Sequence, residues 1–235
     1  MSDEISTIIN WKSFQNNSEK FQNNNPKWAF IEEVFNREFY EELFKTYPNL
    51  DNTWFKKDSF DKNGYIKNWN NQKNDEVVTN IPDKTLSKHW NRFYDYLFSD
   101  EFINNVKIFS NVNVTRVKYF SFGLMERGGF QLPHIHNVGP STLIMMMYFS
   151  KGWEKNDPGG TYVSTTEDLS SMVFEPYNLD NSMMIFHDSP NSGHGVRPIK
   201  KNVQRKAIQI YLEEYSDENG WSGDKVHDES KLVEL

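Results

Sequence analysis

Leu132–Asn137 reads LPHIHN, with His134 and His136 separated by one residue. On a strand, that spacing sends both imidazoles out of one face. A third histidine, His194, follows a second apolar run and opens GHGVRP. Neutral imidazoles ligate iron, zinc, copper and nickel. If a β-barrel brings the three together at its mouth, they form a metal site. A lone loop histidine carries no such implication. Here the HxH pair follows Gly128-Gly129, and its partner sits just beyond an apolar strand. Arg205 opens RKAIQIYLEEY, the last apolar strand, expected to run antiparallel beside the His194 segment. A guanidinium there can hold a carboxylate bidentately; taken alone, it is a surface arginine at a strand start. His187 reads as a supporting or surface group, and His89 and His227 as solvent-exposed.

The elements that must position these groups follow from periodicity. Residues 1–25 are rich in Asn, Gln and Ser and read as a flexible polar arm. Residues 26–110 read as a helical layer. WAFIEEVF begins as a strand, Asn36 caps a helix carrying Phe39, Leu43 and Tyr47, and Pro48 ends it. Residues 49–80 read as a long loop, whose length implies a covering or functional role. Asp83 is expected to cap a helix bearing Trp90, Phe93 and Tyr94, and a shorter helix runs from Asp100 to Phe109. From Val112 the period becomes two. Strands are expected at Thr142–Ser150, Gly160–Thr165, Ser171–Glu175, Met183–His187, Gly193–Arg197 and Lys206–Tyr215. Many short strands with turns between them make a sandwich or barrel over 111–215, and 216–235 read as a polar tail.

Composition bounds the remaining choices. The chain has 235 residues, enough for one large domain or a core with a helical extension. Hydrophobic residues are only 37%, but 15% are aromatic, and these large side chains can fill a core. There is no cysteine, which excludes disulfides, thiolate zinc sites and cysteine nucleophiles. The net charge is −7 with no basic stripe, so nucleic acid is not an expected partner. The N-terminus MSDEISTIIN is polar and acidic, and the longest apolar run, Leu143–Phe149, is too short to span a bilayer. The expectation is a soluble, intracellular, cytoplasmic protein without a membrane partner.

Several motifs occur together in order: HIHN at His134–Asn137, MMYFS around Tyr148, KGW at Lys151–Trp153, Gly159-Gly160, FEPYNLDNSMMIFHDS, HGVRP from His194, and Arg205. This stretch resembles the double-stranded β-helix (jelly-roll) core of the Fe(II)/2-oxoglutarate-dependent dioxygenases, most closely the prolyl-hydroxylase branch. The preceding LFSDEFINNV at Leu97–Val106 resembles the helices before that core. The resemblance implies a mainly β fold with an N-terminal helical layer. It implies His134 and His194 as metal ligands, with Arg205 and Tyr148 holding the distal carboxylate of 2-oxoglutarate. Tyr148 reads nearly as well as a core aromatic. The implied cofactors are Fe(II), 2-oxoglutarate as co-substrate, dioxygen and ascorbate. The implied reaction hydroxylates an unactivated C–H bond while 2-oxoglutarate becomes succinate.

One position departs from the family. The carboxylate of HxD is replaced by His136, which removes a negative charge from the ligand set. His136 then ligates as a third histidine, stands aside, or leaves a site that binds metal poorly. Ligation is preferred, because imidazole is the commonest metal ligand. Two other readings stay open: a cupin-like three-histidine metal enzyme, and a non-catalytic binding module on the same barrel. The cupin reading lacks the expected Glu, since 139–147 contain no acid. Arg205 favours the oxygenase, because only a 2-oxoglutarate enzyme needs it there. The substrate is a small molecule or a peptide, with a prolyl residue slightly favoured. Trp54, Phe55, Trp69, Arg127 and Phe130 are the expected pocket walls. Methionines 145–147 read as core filling.

Overall fold

Strand β6 (Leu143–Phe149) shows how the core is built. Leu143, Met145, Met147 and Phe149 enter one apolar cluster, while Ile144, Met146 and Tyr148 enter another. The same alternation divides β9 (Asp180–His187), with Met183 and Ile185 on one side and Met184 and Phe186 on the other. A strand buried on both faces reads as a continuous apolar run, and that is why IMMMYF and MMIF lack polar interruptions.

The fold is a computed structural model describing residues 8–73, 76–136, 142–216, 218 and 220–221. Its remaining elements are α1 (Trp11–Asn23), β1 (Trp28–Glu32), α2 (Arg37–Lys45), β2 (Phe55–Asp58), β3 (Lys62–Asn68), α3 (Lys88–Tyr96), α4 (Asp100–Ser110), β4 (Arg116–Met125), β5 (Phe130–His134), β7 (Thr161–Ser164), β8 (Met172–Phe174), β10 (Gly193–Val196) and β11 (Arg205–Glu213). Eleven strands form one antiparallel sheet in the order β1-β9-β6-β11-β4-β3-β5-β10-β7-β8, with β2 on β3. The sheet curls. Trp28 of the first strand stacks on Phe174 of the last, ring centroids 4.7 Å apart. One face packs on the helices through Tyr40, Trp90, Phe93 and Phe122; the other lines the barrel interior. Among the described residues, no helix is long and apolar enough to cross a membrane.

Five expectations need correction. Residues 8–25 are not a loose arm: α1 buries Phe14 and Phe21 against Phe109, with centroids 5.5 and 5.0 Å away. Ser18 also donates to the Phe109 carbonyl at 2.7 Å. The Asn/Gln/Ser composition hid a narrow apolar stripe on an otherwise polar helix. Residues 49–80 are not one long loop. They contain the β2–β3 hairpin, and β3 pairs with β4 through Tyr65↔Leu124 and with β5 through Lys62↔Gln131. Asp83 does not cap α3. Ser87 does, accepting from the Trp90 N–H, while Asp83 instead accepts from Thr85 and Asn70. The strand expected from Val112 begins at Arg116, after a turn in which the Val114 N–H donates to the Val112 carbonyl. Finally, β11 does not lie beside the His194 strand. It pairs with β4 and β6, whereas β10 pairs with β5 and β7.

The Asn36 cap forms as expected, accepting from the Glu38 N–H at 3.2 Å. Tyr215–Ser216 pairs with Gly220–Trp221. Residues 1–7 of the arm, Asn137 of LPHIHN, and His227 with 222–235 of the tail lie outside the described residues.

Phe21 separates the two views of the N-terminus. Phe21→Ala removes a fully buried ring and should cost about 3–5 kcal/mol of stability, measured by urea denaturation. A loose arm would show a change within about 0.5 kcal/mol.

Candidate metal centre

Register brings the first two histidines together. In the β5–β10 ladder His134 sits directly opposite His194. Cross-strand neighbours place their side chains on one face, and the rings lie 4.2 Å apart. His136 follows just past the end of β5, its ring 4.7 Å from His134 and 4.8 Å from His194. One ring nitrogen from each lies within 4.8 Å of the others. The glycines beside His194 allow the close approach. A Cβ on Gly195 would meet the Gln131 carbonyl at 2.7 Å and the Tyr162 hydroxyl at 2.5 Å, and one on Gly193 would collide with the Thr166 carbonyl. Side chains there would push β10 away from the strands that flank it.

The ring nitrogens are already sorted. Nδ1 of His134 lies 2.9 Å from the Leu132 carbonyl, and Nδ1 of His194 lies 3.3 Å from the Ser192 carbonyl. A carbonyl only accepts, so each Nδ1 carries the proton and Nε2 keeps its lone pair. The Gln131 amide donates to Nε2 of His134 at 3.2 Å, as that tautomer requires; a metal would take its place. Nδ1 of His136 faces Oδ2 of Asp188 at 3.3 Å. Burial, more than the neighbouring imidazoles, lowers the pKa of both His134 and His194, and that of His194 falls well below 6.5. Both are therefore neutral imidazoles at neutral pH, the form a metal needs.

Behind the histidines lies a cavity of about 40 Å³, lined by Lys62, Tyr65, Met146, Phe186, His194 and Arg205 among others. Arg205 reaches it on the inward face of β11, which it shares with Ala207 and Gln209. It is 2% exposed. Its Nε donates to the Gly159 carbonyl at 2.5 Å and its Nη2 to the Thr161 hydroxyl at 2.9 Å. Among the described residues no carboxylate pairs with Arg205 or with Lys62. Desolvation, then Arg205, pushes the Lys62 ammonium down to about 8. Two cations share a small, largely apolar space without an acid. Such a space favours an anionic ligand.

The other expected residues fall out as follows. Tyr148 is fully buried beneath the Arg205 guanidinium, 5.3 Å from ring to cation, and its hydroxyl accepts from the Thr161 N–H at 3.0 Å. It does not line the cavity. Met146 does, as strand alternation implied. Trp69 and Trp54 are not pocket walls. Trp69 is buried and stacked on Tyr94 at 3.8 Å, and the Trp54 indole donates to the Asn49 carbonyl. His187 is outside the cluster. Lys62, Gln131 and Asp188 were missed. Lys62 lay in the stretch read as loop, although KNGYIKN carries a short strand-like pattern. Asp188 follows the apolar β9 directly, and only the fold shows that it meets His136.

No family model matches the chain, and no curated protein matches it. Solved structures do. A prolyl-4-hydroxylase from Pseudomonas putida aligns with 10% identity over 88% of this chain and 100% of its own, TM-score 0.57. A prolyl hydroxylase from Trichoplax adhaerens, solved with a hypoxia inducible factor oxygen degradation domain peptide fragment, aligns with 14% identity over 86% and 92%, TM-score 0.55. A 2OG-Fe(II) oxygenase family oxidoreductase from Burkholderia pseudomallei aligns with 11% identity over 85% and 90%, TM-score 0.57. At such identities the likeness is one of fold. The chain has the jelly-roll fold of the 2-oxoglutarate oxygenases, prolyl hydroxylases among them.

Burial of the two histidines sets a pH dependence. Their folded pKa values lie below the 6.5 of the unfolded chain. As pH falls below 6.5, the unfolded state takes up protons first. Their contribution is present above that value and is lost as pH drops through the folded values. Urea midpoints of chelator-treated protein should fall as pH drops below 6.5, and His194→Gln should flatten that fall. A wild-type midpoint that does not move there would contradict the burial of neutral imidazoles.

Proposed function

We propose that this jelly-roll chain is a non-haem-iron, 2-oxoglutarate-dependent oxygenase that hydroxylates an unactivated C–H bond. One observation carries the reading: three imidazoles converge at a barrel mouth whose interior holds a buried arginine with no acid partner among the described residues. The donor set fits a first-row divalent metal. Nε2 of His134, His136 and His194 would hold it, with room for other ligands. Iron, 2-oxoglutarate and dioxygen together would supply the chemistry: dioxygen is the oxidant, one of its oxygen atoms entering the C–H bond as hydroxyl and the other the succinate left when 2-oxoglutarate loses carbon dioxide.

The chain's own part is positioning and exclusion. The Arg205 fork presents donors to a carboxylate, and the backbone carbonyl of Gly159 and the hydroxyl of Thr161 hold its plane fixed. Lys62 adds a second cation from β3. Ile66, Met146, Phe186 and Val196 give the cavity apolar walls, which keep water out and strengthen each ionic contact inside. Tyr148 supports Arg205 from below, so its contribution to co-substrate binding passes through the guanidinium. A prolyl residue in a polypeptide is the first substrate to test. It rests on the fold likeness alone, and fold does not fix substrate. The three-histidine set also suits a cupin-like enzyme, but such an enzyme has no use for two unpaired cations in the barrel.

Two measurements test this. Anaerobic addition of Fe(II) and 2-oxoglutarate should give a weak visible metal-to-ligand charge-transfer band; its absence at saturation with folded protein removes the oxygenase reading. Arg205→Ala should weaken 2-oxoglutarate binding by about 1.5–3 kcal/mol, on the order of ten- to a hundredfold. Arg205→Lys, which keeps charge but loses the fork, should fall between. Unchanged affinity in both variants takes Arg205 out of the site. Turnover assays would include dioxygen and ascorbate.

A further inference from the structure

Asp188 stands apart from every other acid among the described residues. It is fully buried, and neither carboxylate oxygen has a hydrogen-bond partner there. The nearby buried hydroxyls of Thr142 and Ser192 do not donate to it. Its backbone is fixed where β9 ends, the Asp188 N–H donating to the Thr142 carbonyl at 3.0 Å. Its ionic contact is to His136, Oδ2 to Nδ1 at 3.3 Å, off the axis of a good hydrogen bond. A buried carboxylate left this way is costly unless a cation completes it.

The three imidazoles supply the context. Each turns Nδ1 toward an oxygen: the Leu132 carbonyl for His134, the Ser192 carbonyl for His194, and the Asp188 carboxylate for His136. Only the oxygen behind His136 belongs to a carboxylate, and His136 is the residue standing where the resembled family has its ligating carboxylate. Asp188 lies outside the group of converging ligand atoms. It therefore sits behind an imidazole rather than on the metal.

We propose that Asp188 is the displaced carboxylate of this centre, a positioning residue that takes the Nδ1 proton of His136 in a hydrogen bond and returns to the site the negative charge its ligand set lacks. The proposal rests on the reading that the three histidines hold a divalent metal. A carboxylate on the far nitrogen fixes the tautomer, aims Nε2 and raises the basicity of the ring. A metal-bound imidazole is a stronger Nδ1 donor than a free one, so the long contact is expected to tighten when the site fills.

The test uses Co(II) alone, without co-substrate or turnover. Dissociation constants come from chelator competition, and melting temperatures from the metal-free protein. Asp188→Asn should weaken Co(II) binding by about ten- to a hundredfold and leave the metal-free melting temperature unchanged or raised, because an unpaired buried charge is gone. In a His136→Ala background the same substitution should change Co(II) affinity by less than about twofold, since the residue acts through that ring. Wild-type affinity in Asp188→Asn overturns the proposal. So does a lowered melting temperature, which would mark a structural role, or an undiminished effect without His136, which would make Asp188 a direct ligand. Failure of the wild-type protein to bind Co(II) overturns both the proposal and the metal reading beneath it.

Discussion

The central strands of this sheet have no solvent face. β6, β9 and β11 are covered by helices on one side and close a barrel on the other. Any polar group that alternation turns inward is thereby desolvated, whatever its charge. Arg205 on β11, His194 on β10 and Asp188 just past β9 are all buried: one is held by a carbonyl and a hydroxyl, one is kept neutral, and one is left without a full partner. Desolvation strengthens the pull of such groups on a metal or an anion.

The charges are arranged along the barrel. Two cations with no acid partner among the described residues lie at the cavity, and one buried acid lies behind a histidine at the mouth. A dicarboxylate in the cavity and a divalent metal at the mouth would complete both ends. Under the proposed metal reading, His136 in place of a carboxylate is a rearrangement, with Asp188 standing behind the imidazole.

The hairpin β2–β3 is the least expected part of the architecture. It joins the two halves of the curled sheet, pairing with β4 at one end and β5 at the other. That bridging places Lys62 and Tyr65 against the cavity. Meanwhile Trp54 and Trp69, prominent in the sequence as pocket candidates, serve the core instead. Aromatic residues in a polar stretch say that something is covered, but not which side they face.

The sequence by itself determined much of this protein. Its continuous apolar runs located β6 and β9, because strands buried on both faces tolerate little polar alternation. The HxH spacing pointed to two imidazoles on one side, and they do lie together, but His136 reaches that side from just past the end of β5, where the strand no longer sets its direction. Asn36 and its helix were equally legible, since a cap acts over a single turn. The helix α1 was not, because its few buried rings are justified by tertiary packing, against Phe109 of α4 among others, and not by anything local. Tertiary structure alone decided the register that sets His134 opposite His194 and the separation of β11 from β10. It alone also decided the meeting of Asp188 with His136. Those are pairings between distant segments, settled by which faces must be buried together rather than by any local preference of the chain.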